Sequence, residues 1–138
     1  MNYLSIYLRD TTLGLKKITL ISPYPEGTGI KEKEFLEKSI LGLKVLSMKH
    51  LGVISSFEKN LLLPSSAYRV AGETIVREAD GFFISCTAWR TIEIIESLEK
   101  DLQIPVITST QASLWACLKR CHVRGSVKFG QLFSLSGR

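Results

Sequence analysis

The sequence predicts an α/β fold, a three-layer sandwich on a four-stranded parallel sheet. Three observations carry this expectation. Short apolar, β-branched runs alternate with segments of helical periodicity. The runs are apolar almost throughout, as in strands covered on both faces. At 138 residues the chain can bury one core but hardly two.

The elements follow in chain order. Residues 1–14 are moderately apolar and are expected to form a helix ending near Gly14. Lys17-Ile-Thr-Leu-Ile-Ser22 reads as a buried strand, and Pro23, Pro25, Gly27 and Gly29 as the loop after it. Residues 30–41 read as a helix with Phe35, Ile40 and Leu41 inward, Lys and Glu outward, and Gly42 as its C-cap. Residues 43–47 make a second strand, and 48–64 are poorly patterned and read as loop. A helix is expected over residues 65–79, where Ala67, Val70, Ala71, Ile75 and Val76 recur at helical spacing. Gly81-Phe-Phe-Ile-Ser85 is a third strand. A helix beginning at Ala88 or Thr91 and ending at Leu102 follows, then the strand Ile104-Pro-Val-Ile-Thr108. Ser109 opens a last helix running to about Cys121. The tail, residues 127–138, is expected to pack as a final strand or an irregular segment. With right-handed crossovers, this alternation gives the flavodoxin-like strand order 2-1-3-4 in a single lobe spanning 1–138.

Composition narrows the function classes. Hydrophobic residues make up 45% and charged residues 22%, the balance of a globular chain. No apolar run reaches the roughly 20 residues that cross a bilayer. The start lacks the pattern of a secretion signal, so a cytoplasmic location is expected and no membrane partner. Cysteines occur at 86, 117 and 121, an odd count that argues against a disulfide framework. The net charge is +5, yet cations and acids interleave, as in Lys31-Glu32-Lys33-Glu34. The acid-free stretch Lys119, Arg120, His122, Arg124, Lys128 has little aromatic interleaving and no nucleic-acid motif. It reads as a solvated face, and no nucleic-acid partner is expected. Cys117-x-x-x-Cys121-His122 has no second ligand cluster to complete a metal site; the two cysteines, one turn apart, read as buried packing residues. Trp89 and Trp115 likewise read as packing residues. No metal or cofactor is expected.

In a doubly wound sheet, ligands bind beyond the carboxyl ends of the strands, where the strand order reverses. In the order 2-1-3-4 that place brings together Ser22-Pro23-Tyr24 and Ser85-Cys86-Thr87. A phenol and a thiol then share one crevice. Cys86 lies between a strand end and an expected helix start, whose free N–H groups and dipole favour a thiolate and an anionic ligand. Thr87 and Thr91 offer hydroxyls. Arg90 can pair with a carboxylate or with an acidic neighbour. The alternative is that Cys86 is a small buried hydrophobe.

The wording of these segments carries a resemblance. Ile84-Ser-Cys-Thr-Ala-Trp-Arg-Thr91, Ile95-Glu-Ser-Leu-Glu99, Ile104-Pro-Val-Ile-Thr-Ser109, Ile21-Ser-Pro-Tyr24, Thr110-Gln-Ala-Ser-Leu-Trp115 and Phe129-Gly-Gln-Leu-Phe133 together resemble the maleate cis-trans isomerase family. Arylmalonate decarboxylases, ectoine-utilisation proteins and aspartate/glutamate racemases are similar. The similarity runs from about Leu15 to the end, with order and spacing kept. It implies a second lobe of a two-lobed, cofactor-independent enzyme acting on small carboxylic acids. Cys86 matches the second-lobe cysteine, which attacks an alkene carbon or moves a proton beside a carboxylate. By the same resemblance Tyr24 hydrogen-bonds a substrate carboxylate, with Thr87, Ser22 and Arg90 as further carboxylate-binding candidates.

The sequence departs from that pattern in two places. Family members are longer at the amino end, where the first lobe and its facing residue lie, so residues 1–14 read as the last helix of that lobe. The family asparagine between strands two and three is replaced by Ser55-Ser56-Phe57. Little or no turnover is therefore expected from this chain alone, together with a homo-oligomer or a separately encoded first lobe as partner. The alternative is a truncated, inactive remnant serving as a small-anion-binding or oligomerisation module.

Overall fold

The computed structural model describes residues 14–123 and 129–134. Four strands, β1 (Lys17–Ser22), β2 (Lys44–His50), β3 (Gly81–Ile84) and β4 (Val106–Thr108), form one sheet in the order β2-β1-β3-β4, all parallel. The helices are α1 (Glu26–Ser39), α2 (Ser56–Leu61), α3 (Pro64–Thr74), α4 (Ile95–Leu102), α5 (Ser109–Arg120) and α6 (Gln131–Ser134).

Alternation along the strands divides the core in two. On one face Ile18, Leu20, Phe83 and Ile107 pack with Leu36 of α1, Ala112 of α5 and Leu132 and Phe133 of α6. On the other, Ile21, Phe82, Ile84 and Val106 pack with Ala67, Val70 and Ala71 of α3, Ile95 and Leu98 of α4, and Trp89. Burying both faces explains why the strands are apolar at successive positions. Register brings Ser22 opposite His50, Ile21 opposite Ile84 and Ile84 opposite Thr108, so the carboxyl ends finish at one level.

Several element boundaries differ from expectation. Helix α1 begins at Glu26, with Gly27 and Gly29 inside it, because Pro25 has an extended ψ of 151° and its carbonyl already accepts from the N–H groups of Thr28 and Gly29. Phe35 and Leu41 are exposed, whereas Leu36 and Ile40 are buried. The helix is capped at Ile40, and Gly42 (φ +82°) turns the chain into β2. β2 continues to His50, and within the expected loop Ser55 caps α2 by accepting from the Glu58 N–H. Helix α3 stops at Thr74, whose carbonyl accepts a hydrogen bond from the Ser47 hydroxyl instead of an i+4 amide. Residues 131–134 form a short helix rather than a strand. Residues 1–13 of the expected helix over 1–14, and the tail residues 127, 128 and 135–138, lie outside the described residues.

Cys117 and Cys121 are exposed, against the expectation of burial. Their spacing sets them on one stripe of α5, but the inward stripe holds Gln111 and Ala112, and β4 is only three residues wide. The outer stripe faces solvent together with Leu114. Lys119, Arg120 and His122 are exposed too, while Arg124 and Lys128 lie outside the described residues. No helix among the described residues is long and apolar enough to cross a membrane. No group of three or more His, Cys, Asp or Glu among them is placed to hold a metal.

Candidate active site

The carboxyl ends of β1 and β3 meet as neighbours, and the residues following them form one cluster. Ser22 is fully buried at the end of β1, and its Oγ lies 2.6 Å from His50 Nδ1. The Tyr24 N–H donates to the same Ser22 Oγ (3.3 Å). The loop carrying Tyr24 is clamped by the segment after β2: Leu51, Gly52 and Val53 donate to the carbonyls of Ser22, Tyr24 and Pro23. Lys59 of α2 lies 5.2 Å from the Tyr24 ring centroid.

The Tyr24 phenol lies beside the Cys86 thiol and the Ser85 hydroxyl. Burial, and then negative charge at Cys86, hold the phenol's ionisation above the ordinary tyrosine range, so Tyr24 is a neutral donor at physiological pH. Cys86 is buried at 7% exposure and has φ +93°, a conformation that L residues rarely adopt. Its N–H donates to Ser109 Oγ (3.1 Å), and Thr110 Oγ1 donates to the Thr87 carbonyl (3.3 Å). Backbone strain held by such contacts is typical of working sites.

The helix end beside Cys86 therefore belongs to α5. The expected helix start directly after Cys86 is absent: residues 87–91 turn, a 3₁₀ segment covers Ile92–Ile94, and α4 begins only at Ile95. The start of α5 is fixed by a capping box, in which the Thr108 side chain accepts from the Gln111 N–H and the Gln111 side chain accepts from the Thr108 N–H.

The other named residues divide. Thr87 is exposed. Arg90 is largely exposed and pairs with its acidic neighbour Glu93 at 2.8 Å. Thr91 is buried with its hydroxyl unpartnered among the described residues. Trp89 is fully buried, a packing residue whose Nε1 donates to Ser66 Oγ.

Two members of the cluster escaped the sequence reading. Glu32, in α1, is hydrogen-bonded to the Ser85 hydroxyl, and burial raises its carboxyl above the usual carboxylate range. The signal was available: Glu32 shares a helix stripe with Gly29 and Leu36, the two buried residues of α1. His50, at the end of β2, completes the Ser22 pair, and burial lowers its pKa so that the neutral ring prevails at pH 7. A Cβ on Gly29 would lie 2.2 Å from the His50 ring, so the bare glycine makes room for the imidazole.

A phenol donor beside a thiol, on strained backbone with little exposure, suits addition to an activated carbon or proton transfer at one. Comparison with known proteins places the chain among relatives of the same fold. A maleate isomerase from Geobacillus stearothermophilus is 25% identical over 114 residues, covering 82% of this chain and 45% of that protein. The maleate isomerase Iso(C200A) of Pseudomonas putida S16, solved with maleate, superposes with a TM-score of 0.87 at 19% identity, over 96% of this chain and 52% of that one. The Nocardia farcinica maleate cis-trans isomerase bound to TRIS gives 0.88 at 20%, over 98% and 54%. An arylmalonate decarboxylase gives 0.80 at 21%, over 96% and 58%. The chain spans about half the length of the relatives it matches, and the structural likenesses establish the fold. The family model for arylmalonate decarboxylase matches residues 6–133, nearly the whole chain, and the chain belongs to that family.

Proposed function

We propose that Cys86 is the reactive thiol of a small-carboxylate site, of the kind used for cis-trans isomerisation, racemisation or decarboxylation without a cofactor, and that this lobe supplies one wall of the cleft. The observation that carries the reading is the Tyr24 phenol set against the thiol of a positive-φ cysteine at the sheet's reversal point. Tyr24 donates to one substrate carboxylate oxygen, while Ser22 and the Thr87 hydroxyl complete its binding. Arg90, held by Glu93 on the surface, contributes after leaving that pair.

The second wall comes from another lobe of the same kind. Beside the Tyr24 loop, Ile54, Phe57, Leu61 and Leu63 are all at least 60% exposed, and Gly52, Val53, Glu58 and Leu62 share with Ile54 and Leu61 an open groove of about 440 Å³. An apolar face of this kind, next to a site open on one side, suits association. For the chain on its own the occupant is a second copy, and light scattering at micromolar concentration should give a mass above that of one chain. A monomer would remove this part of the reading.

The site itself is tested by an amide NMR titration with maleate and phenylmalonate. Saturable shifts concentrated at Ser22, Tyr24, Ser85, Cys86 and Thr87, weakened in Tyr24→Phe, are expected. Shifts absent there, or spread over the exposed lysines, would refute it. Turnover by the lone chain should be slight, because a half-open cleft lacks the opposing acid or base and the exclusion of water.

A further inference from the structure

We propose that Ser109 and Thr110 are positioning residues for Cys86: their hydroxyls, reaching across from the start of α5, hold the left-handed turn that aims the thiol into the site. The inference rests on Cys86 being the reactive thiol of the carboxylate site.

Cys86 carries a side chain at φ +93°, a conformation that glycine takes without strain. Another residue keeps it only where the surroundings over-determine it. Three consecutive peptide groups are pinned here. The Cys86 N–H donates to Ser109 Oγ (3.1 Å), which fixes the group joining Ser85 to Cys86. The Cys86 carbonyl accepts from the Trp89 N–H (3.4 Å), which fixes the next group. The Thr87 carbonyl accepts from Thr110 Oγ1 (3.3 Å), which fixes the third. A Cβ takes its direction from the two peptide groups flanking its Cα. With both held at Cys86, the Cβ that carries the sulfur has one direction.

The grip comes from outside the turn. Trp89 is fully buried, and its Nε1 donates to Ser66 Oγ (3.3 Å) in α3. Ser109 and Thr110 follow β4, whose register with β3 sets Thr108 opposite Ile84 and brings the two segments together just beyond their strands. Thr108-Ser-Thr-Gln111 is a run of polar residues. Its outer members, Thr108 and Gln111, are fully buried and form the capping box, so the helix start is closed without the hydroxyls between them. Those two hydroxyls cross to the Cys86 turn instead. Their own frame is fixed: Gln111 Nε2 donates to the Phe129 carbonyl, and Ser113 Oγ donates to the Ser109 carbonyl (2.8 Å).

Loss of the Ser109 hydroxyl leaves the Cys86 N–H without its acceptor in a part-buried place. Relaxation toward negative φ then relieves the turn and swings the sulfur away from Tyr24. A site of this kind works only with its groups held close to the productive geometry, so the swing weakens it steeply.

The test uses the full chain with Cys117→Ser and Cys121→Ser, so that iodoacetamide reads Cys86 alone. To this parent are added Ser109→Ala, Ser109→Thr, Thr110→Val or Ser113→Ala, with thermal scans to check folding. NMR couplings across the N–Cα bond of Cys86 report its φ. The maleate concentration that halves the labelling rate reports the site. Ser109→Ala should bring φ to negative values and raise the maleate midpoint roughly tenfold. Thr110→Val should act in the same sense, more weakly. Ser109→Thr keeps the hydroxyl and should stay close to the parent in both readings. Ser113→Ala loosens α5 without touching Cys86 and should change neither. Readings unchanged in Ser109→Ala, or changed as much in Ser113→Ala, would overturn the proposal. If Ser109→Ala does not fold, Thr110→Val against Ser113→Ala decides by the same criteria. A parent rate indifferent to maleate removes the functional reading, and the couplings in Ser109→Ala then decide the hold on the turn by themselves.

Discussion

Replacing Gly29 by alanine probes the packing beneath the site, because its sign opposes what helix propensity alone predicts. Gly29 lies inside α1, where alanine ordinarily gains up to about 1 kcal/mol over glycine. Here the new methyl would stand 2.2 Å from Cε1 and Nε2 of His50, far inside contact distance. The ring is the end of a side chain, but it is pinned to Ser22 Oγ at 2.6 Å. Moving it gives up a hydrogen bond, about 1 kcal/mol, and forces an extra methyl into a packed site, about 1–3 kcal/mol. Set against the helix gain, Gly29→Ala should destabilise by about 1–3 kcal/mol. Urea denaturation monitored by circular dichroism measures this. Gly72→Ala in α3, where a Cβ meets nothing within 4 Å, is the control and should stabilise by up to about 1 kcal/mol. In a His50→Ala background the obstruction is gone, so Gly29→Ala should become neutral or stabilising. If Gly29→Ala stabilises the chain that still carries His50, as Gly72→Ala does, the account of the Gly29–His50 contact is wrong.

Two further perturbations read the strain and the buried charge. Cys86→Gly should be more stable than Cys86→Ala by about 1 kcal/mol, because only glycine takes φ +93° without penalty; equal denaturation midpoints would show that the backbone relaxes freely. Glu32 has a folded pKa raised above its unfolded value of about 4.3, so the stability its protonated form contributes is complete below that value and is lost as pH rises through the folded pKa. Glu32→Gln should therefore gain on the parent in thermal scans as pH is raised from 4 to 8, and a difference that shrinks over that range would contradict the sign.

The parts legible in sequence are those set by period and burial. β3 is buried throughout and β1 at every position but Lys17, because helices cover both faces, and the apolar residues this requires, with the strand–helix alternation, yield the order 2-1-3-4. It also yields the meeting of Tyr24 and Cys86. Where one side chain plays against its class, the pattern is silent. Glu32 sits in Lys31-Glu32-Lys33-Glu34, which looks like a solvated face, and only its stripe with Gly29 and Leu36 turns it inward. Gly27 and Gly29 look like loop residues, because the reason for a glycine at 29, the His50 ring, arrives from a strand 21 positions later. β2 is an edge strand with no buried residue past Val45, so its end, Met48-Lys-His50, carries no buried apolar signature. Helical spacing put Cys117 and Cys121 on one stripe but said nothing of which way that stripe faces. The left-handed turn at Cys86, and the contact of its N–H with Ser109 rather than with a helix of its own, are tertiary facts with no local code.

The central claim, that Cys86 stands in a carboxylate-binding site with Tyr24 as donor, is tested most directly by substrate protection. In the chain with Cys117→Ser and Cys121→Ser, the iodoacetamide rate at Cys86 is followed by peptide mapping as maleate is raised at constant ionic strength. A carboxylate seated on Tyr24 covers the thiol, so the rate should fall along a saturating curve, and Tyr24→Phe should move that curve to higher maleate while thermal scans show the fold kept. A Cys86 rate indifferent to maleate at every concentration, in a folded chain, would contradict the claim.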